Sequence, residues 1–278
     1  MSADVLFMVL VSIGLIGSAD FFGGIASKKA SPFSVAAWSQ WAGVPVIVLA
    51  ALIYGGTPNP EDLLLGMVAG FGSAVGVIAL YRGFSVSAVG IVAPIASTVA
   101  AMLPILIGII GGERPESLVA MGLAIGLVSV VLVGYVPGAG HLSMAGVTHG
   151  IASGVGFAVM VVAYSQTSEE SGLFSAVSGR FSSAIIATIA VVIVGAPRAV
   201  DRHVWLPTAL AGLLAGFGMG FFVAATQRAD LILVGMAIAL FPAVTVVLAA
   251  VFLKERLAAS QWVGILCAVV AVTLITVG

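Results

Sequence analysis

The chain has 278 residues, of which 61% are hydrophobic and only 8% charged, with a mean hydropathy of +1.26. Soluble globular domains carry about a quarter of their residues as charges, so this balance excludes one and indicates an integral membrane protein. A formal net charge of −1 supplies no basic surface for phosphate and argues against a nucleic-acid partner.

The apolar runs, taken in order, cover about 4–27, 32–54, 63–81, 86–110, 117–136, 143–166, 172–195, 205–227, 231–253 and 260–277. Each approaches the ~20 residues that a spanning helix needs. Short stretches of turn-forming or charged residues separate them, among them Lys28-Lys29, Thr57–Pro60, Pro137-Gly138 and Pro197–Arg202. No connection is long enough for a soluble domain. The first run lacks a basic segment before it and exceeds a signal-peptide core, so it reads as a retained helix.

Within that first run sits Asp20, about seven residues from the end and hence roughly 10 Å deep at 1.5 Å per residue. A charge in hydrocarbon costs at least ~2.5–3.5 kcal/mol, which makes an intramembrane carboxylate a functional candidate. Gly17, Gly24 and Ser27 share its helical face, as a smooth cavity wall would require. The other reading of Asp20 is a carboxyl hydrogen-bonded to neighbouring helices. In the second run Trp38, Gln40 and Trp41 reach comparable depth. They are either ordinary packing or a wall offering aromatic faces to an organic cation. His149, about six residues into the sixth run, lies at roughly 9 Å from the same side. An Asp20–His149 pair would exchange a proton near neutral pH, and a lone structural histidine is the alternative.

Arg180 enters the seventh run from the opposite side, roughly 12 Å in. It either snorkels to the interface or serves the substrate or a gate. With ~30 Å of hydrocarbon, Asp20 and Arg180 differ in depth by roughly 10 Å and are expected at opposite ends of a central cavity. Pro94 and Pro104 in the fourth run and Pro242 in the ninth free backbone carbonyls. A helix break there is tolerated where it lines a cavity, so these prolines are gate candidates, or simple kinks. Glu113 and Glu255 read as interfacial caps. Cys267 is the only cysteine, and His141, His149 and His203 show no HxxxH or HExxH spacing. No disulfide, metal site or cofactor is expected.

The chain repeats itself. Gly66–Arg82 aligns with Gly212–Arg228 without a gap, Ala69-Gly70-Phe71-Gly72 falling on Ala215-Gly216-Phe217-Gly218. Glycines spaced by four, as in Gly66/Gly70, Gly72/Gly76 and Gly212/Gly216, are expected to bring helix backbones close. The halves are 1–137 and 142–278. Five helices per half is an odd number, so the copies enter the membrane from opposite sides, as in many secondary transporters. The expected fold is therefore all-α and integral to the membrane, with ten transmembrane helices in two inverted five-helix repeats. Seven Lys and Arg residues fall on the face that follows the odd-numbered helices, against Arg114 and Arg228 on the other. The positive-inside rule then places both termini on the non-cytoplasmic side.

The chain resembles the drug/metabolite transporter superfamily in its ten-helix form with two EamA-type domains. The likeness rests on the fourth helix ending Gly-Gly-Glu113-Arg114-Pro115, on Phe241-Pro242 through Leu253-Lys254-Glu255-Arg256-Leu257, and on Arg180 early in the seventh helix. It departs from the pattern at Trp38-Ser39-Gln40-Trp41, where a second arginine is often found. Ala19-Asp20 also resembles the acidic first helix of the small multidrug exporters, in which a carboxylate binds protons and substrate competitively.

The resemblance implies a secondary transporter of a bacterial inner membrane. It would export small polar or amphipathic metabolites, amino acids or organic cations, by alternating access with possible proton coupling. The alternative is a flippase for lipids or lipid-linked sugars, which would need a groove open to the bilayer. The expected partners are a small-molecule substrate and membrane lipid. One chain carries both halves, so a monomer suffices and a homodimer stays compatible. No paired-acid, HExxH or nucleophile–base pattern suggests an enzyme, and no ring of like charges suggests a channel.

Overall fold

A computed structural model describes residues 2–87, 89–112, 114–134, 144–252 and 258–277. Glu113, Glu255 and His141 lie outside the described residues. Among those described, ten α-helices follow one another: α1 Ala3–Ser27, α2 Pro32–Tyr54, α3 Pro60–Val86, α4 Val89–Ile110, α5 Ser117–Gly134, α6 Met144–Ser165, α7 Phe174–Val194, α8 Arg202–Thr226, α9 Leu231–Phe252 and α10 Ala259–Val277. A 3-10 turn at Glu169–Ser171 joins α6 to α7. No strand occurs among the described residues.

Local chemistry sets the helix ends. Pro32 and Pro60 sit in the first turns of α2 and α3, where an N–H would be unpaired in any case. Asn59 caps α3 by accepting from the Asp62 N–H at 2.9 Å. Gly195, at φ +67°, closes α7 in the left-handed region with its N–H turned back to Val191 and Val192.

Among the described residues, six helices, α1, α2, α3, α6, α7 and α8, are long and apolar enough to cross a membrane, and shorter apolar helical stretches run over Ile95–Ile110, Ser117–Ser129 and Trp262–Ala271. Large side chains such as Leu52, Ile110 and Ile193 lie exposed on the outside. In water such a surface would be a liability, and in lipid it is the solvated surface.

The most extensive helix pairings survive adding five to every index. α3 packs on α6 and α7, and α8 packs on α1 and α2; α4 packs on α6, and α9 on α1; α2–α7, α4–α9 and α5–α10 map onto themselves. The glycines make these contacts. A methyl at Gly66 or Gly70 would strike the carbonyl of Ser175 or Gly179 on α7, and at Gly212 or Gly216 the carbonyl of Ser39 or Gly43 on α2. Gly72 lies similarly against Gly156 of α6, and Gly218 against Leu15 and Ile16 of α1. Where apolar burial drives nothing because lipid is equally apolar, such close approach supplies dispersion contact that bulkier residues would prevent.

The prolines do not break their helices. α4 runs continuously through positions 94 and 104, and α9 through 242. Pro94, Pro104 and Pro242, candidates for gates or for simple kinks, thus sit in unbroken helices in this structure. Pro45 and Pro207 likewise lie inside α2 and α8.

Candidate functional site

A cavity of about 60 Å³, room for a few waters, lies in the middle of the bundle. α1 contributes Ile16, Ala19 and Asp20; α2 contributes Ser39 and Gln40; α3 adds Ser73, Val77 and Tyr81; and α7 adds Arg180. Phe157, Met160, Met219 and Phe241 supply much of the apolar remainder. Asp20 and Arg180, expected at opposite ends of a central cavity, both line this chamber. Arg180 begins only six residues into α7, but its long side chain carries the guanidinium to Gln40, eight residues into α2 from the other side.

The charged groups are left without full partners. Arg180 is 5% exposed. Its Nη1 donates to the Gln40 Oε1 in a short hydrogen bond, while Nε and Nη2 have no partner. The Asp20 carboxylate is half-buried and has neither hydrogen bond nor ion pair among the described residues. No ion pair joins it to Arg180. Tyr81 lies within electrostatic reach of both. Uncompensated charge at this depth is costly.

Small residues admit the arginine. A Cβ at Gly43 would lie 2.6 Å from the Arg180 Nη2 and 2.7 Å from the Gly212 carbonyl. Gly43 therefore serves the site as well as the α2–α8 contact. Around Asp20 the expectation was different from the outcome. Gly17 faces the Phe241 carbonyl of α9, and Gly24 faces the Phe84 ring, so these two serve helix packing instead of forming the cavity wall.

Trp38, Trp41 and His149 are not among the residues lining the cavity. Trp38 is 45% and Trp41 38% exposed. The indole of Trp38 donates to the Arg198 carbonyl at 2.9 Å, and that of Trp41 to the Thr188 hydroxyl at 2.9 Å. Trp41 also meets Phe181 edge to face. Both are staples from α2 to α7 and the segment after it, on the side of α2 turned away from Gln40, as residues two and one positions removed on a helix must be. His149 hydrogen-bonds through Nδ1 to the Ala145 carbonyl of its own helix at 2.6 Å. It lies eight residues, roughly 12 Å, before the cavity residue Phe157 of α6, and forms no pair with Asp20.

Ser39, Ser73 and Tyr81 were missed as cavity residues. The available signal was Gly23, whose missing side chain makes room for the Tyr81 phenol. A second, larger groove of about 470 Å³ lies between α1, α2 and α8 near Tyr54. Its lining, from Met8 and Pro45 to Phe221 and Ala224, holds no charged side chain.

At the end of the bundle that carries the amino terminus, Asp62 is 4% exposed. Its carboxylate accepts from the hydroxyls of Ser168 at 2.6 Å and Ser171 at 2.5 Å, and from the Asn59 amide at 2.6 Å. Gln227 adds bonds to the Ser168 and Gly172 carbonyls, while Arg228 reaches Glu169 and Tyr54. These bonds tie the start of α3 and the end of α8 to the α6–α7 connection.

The profile of the EamA-like transporter family matches residues 4–135 and 144–277. The chain belongs to the EamA-like transporter family. It is thus a multi-pass membrane protein of a transporter family, and the central cavity is to be judged as an EamA-like transporter's. A solved structure described only as "Crystal structure of protein" is similar over 97% of this chain and 98% of its own, with a TM-score of 0.76 at 17% identity. That likeness is one of fold. No curated protein matches the chain.

Proposed function

We propose that this EamA-like protein is a secondary active transporter that moves a small polar or amphipathic metabolite through the central cavity by alternating access. The observation that carries the reading is the pairing of an unpartnered carboxylate, Asp20, with a half-satisfied guanidinium, Arg180, across one small chamber within a membrane bundle. Intramembrane charges that satisfy neither each other nor the backbone are expected at a translocation site. A chamber with room for only a few waters fits an occluded or contracted state, and the hydrogen-bonded clasp around Asp62 fits a bundle closed at its amino-terminal end.

The architecture that suits this mechanism is ten transmembrane helices in two inverted repeats, 1–137 and 142–278. The five-step symmetry of the helix pairing supports it. In this reading the protein resides in a bacterial inner membrane with both termini on the non-cytoplasmic side and works as an exporter. Asp20 would couple protonation to the change of state. The larger groove is open and apolar but offers no charged lining for a lipid headgroup, so nothing favours a flippase.

The test uses proteoliposomes with a trapped pH dye, to which a mixture of L-amino acids or the organic cation ethidium is added. Substrate-driven proton movement is expected with the wild-type chain and is expected to vanish with Asp20→Asn. Identical proton movement in the variant would remove Asp20 from the coupling role.

A further inference from the structure

The groove between α1, α2 and α8 has three walls that end alike. Met8 of α1, Ala50 of α2 and Ala224 of α8 line it, and one turn further toward the amino-terminal end of the bundle stand Asp4, Tyr54 and Arg228. These three meet. Arg228 donates through Nη2 to the Tyr54 hydroxyl at 2.6 Å and through Nε to Glu169 at 3.1 Å, while its Nη1 stays 3.8 Å from the Asp4 carboxylate. An apolar slot of about 470 Å³ thus carries a collar of one cation and two carboxylates. Along α2 the slot runs from Pro45 to Tyr54, roughly 14 Å at 1.5 Å per residue, which is about the depth of one leaflet in a ~30 Å hydrocarbon core. Its width comes from a missing side chain. A Cβ at Gly220 would meet nothing closer than 3.6 Å, at Ile47 and Leu173, so this glycine seats no facing carbonyl, as Gly66 and Gly212 do, and leaves the slot open instead.

We propose that this groove is a phospholipid site: one acyl chain from the leaflet at the amino-terminal end lies in the slot, and a headgroup with a phosphate and a primary ammonium, that of phosphatidylethanolamine, sits on the collar. The depth of the slot and its apolar lining select an acyl chain, because an empty slot would forfeit dispersion contact along its walls. The phosphate goes to the Arg228 Nη1, which lies beyond hydrogen-bond length from Asp4. The ammonium goes to Asp4 and Glu169, whose side chains are 59% and 56% exposed. Charge selects the headgroup. A zwitterion matches both signs of the collar, whereas the anionic phosphatidylglycerol adds negative charge to a collar that is already negative. Phosphatidylcholine has the right charges, but its quaternary ammonium has no N–H to donate to a carboxylate. The site is a seat and not a path across the membrane, since no charged side chain lines the slot below the collar. It therefore stands apart from transport through the central cavity.

Native mass spectrometry of the purified full chain counts bound lipid, with phosphatidylethanolamine, phosphatidylcholine and phosphatidylglycerol of identical acyl chains titrated separately. The first phosphatidylethanolamine is expected to bind about tenfold more tightly than the first molecule of either other lipid, the scale of one charged hydrogen-bonded contact. Asp4→Asn combined with Glu169→Gln should erase the preference for phosphatidylethanolamine over phosphatidylcholine. Arg228→Ala should weaken both of those lipids alike, because both carry the phosphate. Gly220→Leu places a side chain in the slot and should weaken the first molecule of all three lipids by about tenfold.

Equal affinity for the three lipids, or tightest binding of phosphatidylglycerol, would overturn the collar. A Gly220→Leu chain that melts like wild type and still binds its first lipid as tightly would overturn the groove. Dimers in the same spectra that are lost with Gly220→Leu would put a second copy of the chain in the slot, and overturn the lipid. None of these results bears on the central cavity, which is tested by proton movement. The wild-type lipid series decides the headgroup even if a variant fails to fold.

Discussion

Gly72→Ala tests whether close backbone approach holds both the bundle and the cavity together. A Cβ at position 72 would lie 2.5 Å from the Gly156 carbonyl oxygen and 2.8 Å from the Met160 nitrogen. Ordinary contact begins at 3.4 Å, so the shortfalls are about 0.9 and 0.6 Å. Both obstacles are backbone atoms, which cannot rotate aside, and α6 must therefore move away from α3 by most of an ångström. Overpacking of this kind costs about 1–3 kcal/mol, and lost dispersion along the interface adds to it. The displaced stretch carries Phe157 and Met160, two of the cavity's apolar walls, so ligand affinity should fall as well as stability. Gly14→Ala is the control, because nothing lies within 4 Å of its missing Cβ. Thermal unfolding in detergent should place the Gly72 variant several degrees below wild type and the Gly14 variant level with it or above. Equal melting points for the two variants would refute the reasoning.

Asp62→Ala leaves two serine hydroxyls and the Asn59 amide without their acceptor in a buried clasp, and should lower stability by about 3 kcal/mol, read as an earlier midpoint in the same assay. Gly43→Ala should displace the Arg180 guanidinium. Substrate-driven proton movement in the proteoliposome assay should fall sharply, more than the change in melting point alone would suggest. Trp41→Phe gives up only a half-exposed bond to Thr188 and should cost under about 1 kcal/mol with unchanged ligand binding. Arg228→Ala removes partly exposed contacts to Glu169 and Tyr54. Pairs of that kind contribute little, so its melting point should stay close to wild type.

The sequence alone determined the class of molecule, because burying so few charges in so much apolar chain has only one solvent that suits it. It also marked the repeat and the purpose of its glycines. A residue without a Cβ at fixed spacing in an apolar helix has a direct steric meaning, and Gly66, Gly70, Gly212 and Gly216 each meet a facing carbonyl. Asp20, Gln40 and Arg180 were legible as candidates for a comparable reason: polar groups at membrane depth are expensive wherever they point. Which way they point was not legible. Helical rotation turns Gln40 inward and its neighbours Trp38 and Trp41 outward, and only the packing of α2 against α7 and α8 fixes that rotation. Depth counted along a helix axis set Asp20 and Arg180 too far apart for an ion pair, and none joins them, but only the folded bundle shows which other side chains share their chamber. Asp62 stands in the first turn of α3, where an acidic residue is ordinary. Its role as the centre of a clasp required Ser168 and Ser171, more than a hundred residues away, and only the closed bundle brings them within hydrogen-bond distance.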